Sequence, residues 1–211
     1  MGAWKLQEFK TFCEYQGLER PLFYTESLAL KFAAAKYHRD RLEEKMGKID
    51  PQRLSLEMLV RYDFEIAFEI DALMMTLNSM WDILGQLINA CFIHDDPNEI
   101  SFNKLAKCHP ELIPAKVMPI LRSIQEHSLY ATIKEYANVS KHQHAIKGDV
   151  HVDFGETPTR VSYETKEFKH RQKQQRRLTP EKASKCLSFV GKSVDKVGAQ
   201  IQRGLKKGSK Y

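Results

Sequence analysis

The feature that most constrains this chain is the run from Leu56 to Phe92, in which Leu59, Tyr62, Ile66, Ile70, Leu73, Leu77, Met80, Leu84, Leu87 and Cys91 recur at alternating spacings of three and four. An α-helix, with about 3.6 residues per turn, brings such a series onto one face. Met74, Met75, Trp81 and Ile88 widen the stripe, while Glu57, Arg61, Glu65, Glu69, Thr76, Asn78 and Gln86 fall mainly off it. The pattern predicts a long central helix touching several neighbours. Pro51 before it and Asp95-Asp96-Pro97-Asn98 after it supply the ends.

The rest of the chain supplies partners for that helix. A second helix is predicted from Glu26 to Met46, capped by Thr25 and closed by Gly47, with Leu28, Phe32, Ala35, Leu42 and Met46 facing the core. It should run antiparallel to the central helix. A short helix is predicted from Trp4 to Tyr15, and one or two more between Ala115 and His144, divided near Glu126-His127-Ser128. The last helix should run from Thr179 to Leu205, because a threonine cap precedes proline at the first helical position. Its stripe is Ala183, Cys186, Val190, Val194, Val197, Ile201 and Leu205.

Between these helices, Val150, Val152 and Phe154 alternate with His151 and Asp153, and Gly155 to Thr159 leads to Val161, Tyr163 and Thr165. Period two predicts a β-hairpin over about 149–165. An isolated hairpin is marginal in water, so it should pack against the bundle or another subunit. The expected fold is mainly α: one domain over 1–211, an antiparallel helical bundle with a small β-hairpin inserted before the C-terminal helix.

With 42% hydrophobic residues the chain can build a core, and it contains no uninterrupted apolar stretch of the roughly 18 residues that a membrane helix needs. A cytoplasmic protein without a membrane partner is expected. Cys13, Cys91, Cys108 and Cys186 are scattered, with no C-x-x-C pair, and read as reduced, buried small hydrophobes. The net charge of +6 concentrates late in the chain, in Lys169, Arg171, Lys173, Arg176 and Arg177 of a basic loop over about 166–178 and in the tail from Lys206 to Lys210. Such a run is either a solvated loop or a candidate nucleic-acid contact.

The remaining distinctive segment is Ala137-Asn138-Val139-Ser140-Lys141-His142. On a helix, Lys141 and His142 lie three and four residues beyond Asn138, which puts an amide, an ammonium and an imidazole on one side. Leu129, Ile133, Tyr136 and Ser140 occupy a less polar stripe. This Asn-x-x-Lys-His string, on a late helix preceded by a long one, resembles the HEPN superfamily of compact, commonly dimeric helical bundles. The hairpin and last helix also look like a bacterial HEPN-like branch.

The family's ribonucleases carry Arg-(polar)-x-x-x-His on this helix, so Asn138, Lys141 and His142 match while Ala137 stands where arginine is expected. In the chemistry that the resemblance implies, histidine handles the proton of an RNA 2′-hydroxyl and arginine stabilises the scissile phosphate, without a metal. Histidine suits the task because both of its protonation forms exist near neutrality. Lys141 can replace the arginine's charge but not its bidentate fork. The expectation is an RNA or nucleotide protein with a degenerate site, in a bacterial defence or toxin–antitoxin setting, with any gain of cleavage coming from Ala137→Arg.

Two alternatives stand beside it: an active metal-independent endoribonuclease using Asn138, Lys141 and His142, and a noncatalytic protein-interaction bundle in which the three residues are simply a polar helix end. A homodimer is expected. No cofactor or metal is: His144 points about 200° away from His142 on a helix, Glu65 and Glu69 lack the rest of a di-iron set, and His94-Asp95-Asp96 reads as a helix exit.

Overall fold

A computed structural model describes residues 6–97, 100–142, 146–155, 159–168 and 177–208. Its α-helices are α1 (Leu6–Tyr15), α2 (Glu19–Gly47), α3 (Leu56–Ile88), α4 (Phe102–Cys108), α5 (Met118–Glu126), α6 (Ser128–His142) and α7 (Pro180–Gly208). Strands β1 (Gly148–Asp153) and β2 (Arg160–Thr165) precede α7. The mainly α architecture with a hairpin before the last helix is therefore as expected, while α4 is an additional element.

The chain forms two compact units. One comprises Met1–Phe32, Ser79–Tyr130 and Ser188–Tyr211, and the other Ala33–Asn78 and Ala131–Leu187. Helices α2, α3, α6 and α7 each contribute one stretch to each unit.

In the second unit, α2 and α3 run antiparallel. The Lys48 carbonyl accepts from the Tyr62 hydroxyl at 3.3 Å, Lys45 Nζ meets Glu65 at 2.8 Å, and His38 Nδ1 meets Glu69 at 2.8 Å, so partners move up one helix as they move down the other. The α3 stripe is buried here at Tyr62, Ile66, Ile70, Leu73 and Leu77, with Leu59 half-buried at its start. The hairpin pairs Val150 with Tyr163 and Val152 with Val161, and Asp63 Oδ1 on α3 accepts from the Val150 amide at 2.6 Å. Val150 and Tyr163 are buried, so the hairpin finds its cover inside its own unit. Phe154 does not join the inward set: β1 stops at Asp153, and Phe154 is exposed.

In the first unit, Trp81, Phe102, Tyr130 and Phe189 form an aromatic cluster, with the His127 ring stacked on Phe189 at 4.2 Å. Gly85 lets α4 come close, since a Cβ there would lie 3.0 Å from the Phe102 amide nitrogen. The central helix becomes a π turn at Asn89–Ile93. The buried Asn89 side chain clasps its exit, donating to the Asp95 carbonyl and accepting from the Asp95 amide, both at 3.0 Å.

Two further expectations, both at α2, differ from the structure. Helix α2 begins seven residues before Glu26, at Glu19, because Pro21 falls in the first turn, where its missing N–H costs nothing. Thr25 is accordingly no cap: buried inside α2, its hydroxyl donates to the Pro21 carbonyl at 2.7 Å. At α7, by contrast, Thr179 does cap, its Oγ1 accepting from the Lys182 amide at 3.3 Å.

Candidate functional site

The motif helix α6 is buried around most of its circumference. Thr132, Ile133, Glu135, Tyr136, Ala137 and Val139 are all buried, leaving a narrow polar face on which Asn138 is half-buried and Lys141 exposed. His142 is the last residue of α6, and its side chain lies outside the described residues. Asn138 and Lys141 do share a face, as their spacing requires. The residue in the arginine position does not share it: Ala137 is 1% exposed.

Behind this face lies a polar interior. Ser140 Oγ donates to Asp71 on α3 at 2.6 Å. Burial, the Asp71 carboxylate and the neighbouring Tyr163 hydroxyl together hold the Tyr136 proton on, well above the usual phenol range. The Tyr136 hydroxyl lies near Asp71, and among the described residues neither it nor the buried Tyr163 hydroxyl has a hydrogen-bond partner. Burial also raises Tyr163 and, on the hairpin side, Asp63 above their ordinary values. None of these groups is a cation, so they supply no phosphate clamp.

Of the predicted nucleic-acid contacts, Lys169, Arg171, Lys173 and Arg176 lie outside the described residues. Arg177 is described, and it is already engaged: Nη1 meets Glu164 at 3.0 Å and Nη2 meets Glu167 at 2.9 Å. The ends of this segment are anchored. Phe168 is buried with its ring edge-on to Tyr136 at 5.3 Å, and Leu178 exchanges two hydrogen bonds of 2.9 Å with Thr165.

A second basic surface, absent from the sequence reading, lies in the first unit. A groove of about 720 Å³ runs between α7 and the start of α5, with Lys116, Lys192, Lys196 and Arg203 along it and Asp195 as the one acid among its described residues. Ala115, Pro119, Ile120 and Ala199 form an apolar floor. All four cations are exposed, and none makes an ion pair among the described residues. Elsewhere Lys10, Arg39, Arg41, Lys45, Lys48 and Arg177 each meet a carboxylate. The available signal was Lys192, Lys196 and Arg203 at helical spacing opposite the Val190, Val194, Val197 and Ile201 stripe.

Three of the metal-capable carboxylates singled out from the sequence are engaged by cationic or imidazole partners. Glu65 and Glu69 pair with Lys45 and His38, and Asp95 pairs with His109 at 3.0 Å. Among the described residues no group of three or more His, Cys, Asp or Glu side chains is placed to hold a metal ion, and no helix is long and apolar enough to cross a membrane. Comparison with protein-family models, curated proteins and solved structures gives no significant match.

Proposed function

We propose that this chain is a HEPN-like helical protein that binds RNA or nucleotides without cleaving them efficiently, in the cytoplasm of a bacterial defence or toxin–antitoxin system. The observation that carries the reading is Ala137, whose methyl group is buried where the family's nucleases place a phosphate-clamping arginine. Loss of such pre-organised charge commonly costs orders of magnitude in rate. Lys141, exposed one turn on, offers a point charge without the fork. The motif face is then a binding surface, and uncompensated cations elsewhere supply the attraction for an anionic polymer. The test is incubation of the native chain with single-stranded RNA in EDTA. Binding with little cleavage is expected; robust EDTA-resistant cleavage that His142→Ala abolishes would sink this reading in favour of the active nuclease.

A second reading, protein interaction through a homodimer, has its own observation. On α3, Leu56, Val60, Phe64 and Phe68 form an i, i+4 ladder at 78%, 47%, 65% and 68% exposure, opposite the core stripe. An i, i+4 ridge is the surface that packs against a like ridge at a crossing near −50°. An antiparallel partner copy would set Leu56 opposite Phe68 and Val60 opposite Phe64, which makes the ladder self-complementary. Light scattering should give a dimer mass at tens of micromolar protein and a monomer for Phe64→Glu; a native monomer removes this reading.

A further inference from the structure

We infer that the groove between α7 and the start of α5 is a sequence-independent site for the sugar-phosphate backbone of single-stranded RNA. The inference rests on the RNA-binding reading and assigns it a surface distinct from both the motif helix and Arg177.

Charge selects the class of ligand. Among the described residues, Lys116, Lys192, Lys196 and Arg203 bring four unpaired cations to one groove against a single acid, Asp195. Four neighbouring like charges repel one another, and an anion relieves that repulsion. Length selects a polymer over a mononucleotide. Lys192 and Arg203 are eleven residues apart on α7, and at about 1.5 Å per residue the cations spread over roughly 16 Å. One phosphate cannot meet them all, whereas successive phosphates of a strand can.

The lining also sets the specificity. Among the described residues no aromatic ring lines the groove, so they offer no stacking platform of the kind that holds bases in many single-strand binders. Its floor of Pro119, Ile120 and alanines offers apolar surface without base-reading donors. Recognition therefore rests on phosphates, and little preference among sequences follows.

Asp195 works against this ligand. It sits between Lys192 and Lys196 in the groove, and partial burial raises its pKa above the ordinary aspartate value. Its negative charge opposes phosphate, so Asp195→Asn should tighten binding, a change that a merely structural role would not produce.

The experiment is fluorescence anisotropy with a labelled single-stranded oligouridylate, measured over a salt series on the full chain. Each phosphate contact in a single strand contributes about 0.7 to the slope of log affinity against log salt. The variant Lys192→Glu/Lys196→Glu/Arg203→Glu should therefore bind at least about tenfold more weakly and lose about 2 from that slope. The three residues are exposed, and an unchanged melting curve by circular dichroism verifies the fold. If the folded triple variant binds as the native chain does, the groove assignment falls while RNA binding stands. If the native chain ignores the oligouridylate even at low salt, both fall. A labelled poly-glutamate peptide is the remaining arm, and its binding more tightly than RNA would overturn the assignment in favour of an acidic protein segment.

Discussion

Placing at position 137 the arginine that the HEPN resemblance implies should damage this protein rather than activate it. Ala137 is 1% exposed, and its helical neighbours Tyr136 and Val139 are completely buried. Ala137→Arg adds a long side chain to a filled space, and overpacking of that kind costs about 1–3 kcal/mol. A guanidinium left without a partner in the interior costs several kcal/mol more. Relief comes from one direction: Lys141, four residues on and exposed, lies about 40° round the helix, so the guanidinium can snorkel part-way toward water. The net loss should be about 2–4 kcal/mol, a large share of the roughly 5–15 kcal/mol that holds a typical domain together. Urea denaturation measures it as a lowered midpoint at unchanged slope. Lys141→Arg is the control and should stay within about 0.5 kcal/mol, as exposed substitutions do. No gain of RNA cleavage should accompany Ala137→Arg. A variant as stable as the native chain would refute the burial argument, and one that also cleaved RNA would mean that a single residue separates this fold from a nuclease.

Three further outcomes follow from the interior. Leu77, fully buried on α3, should cost about 2–5 kcal/mol when truncated to alanine, and a loss below half of one kilocalorie in urea would deny it a core position. Asn89→Ala removes both hydrogen bonds that clasp Asp95 at the π turn, and should cost about 2–4 kcal/mol by the same assay; retention of native stability would mean that water replaces the clasp. Burial pushes the Cys13 thiol up to about 11 and Cys186 up to about 12, so their reactive thiolates are scarce at pH 8. Alkylation of both should wait for denaturant, and fast native-state labelling of Cys13 on peptide mapping would contradict its burial.

What the sequence disclosed followed from periodicity. The stripe from Tyr62 to Leu87 on α3, continued by Cys91 in the π turn, was legible because burial on one helix face leaves a mark every three or four residues. The break at Glu126-His127-Ser128 and the Thr179 cap were local and equally visible. Thr25 was misread because a threonine hydroxyl can close on the carbonyl four residues back as readily as it can cap. Helix α4 spans only seven residues, too few to establish a period.

The site was less legible for a different reason. Ala137 looks like any helical alanine, and only its neighbours in space reveal that the arginine position is closed. The groove joins Lys116 to cations on α7 that are far along the chain, so no sequence window contains it. The ladder of Leu56, Val60, Phe64 and Phe68 was present as a second i, i+4 series, but nothing local distinguishes an exposed apolar ridge from a buried one.

The interleaving of the two units in the chain bears on how the protein is made. Neither unit is a contiguous segment: one needs residues from the first helix and from Ser188 onward, and the other needs α2 together with residues up to Leu187. Synthesis proceeds from the N-terminus at about 5–20 residues per second, so the early helices emerge well before the strands and α7 that complete their units. During that interval the apolar faces of α2 and α3 have no finished core to enter. Gene fusion or fragment exchange that cuts within any of the four shared helices would split both units at once, so this architecture is inherited whole.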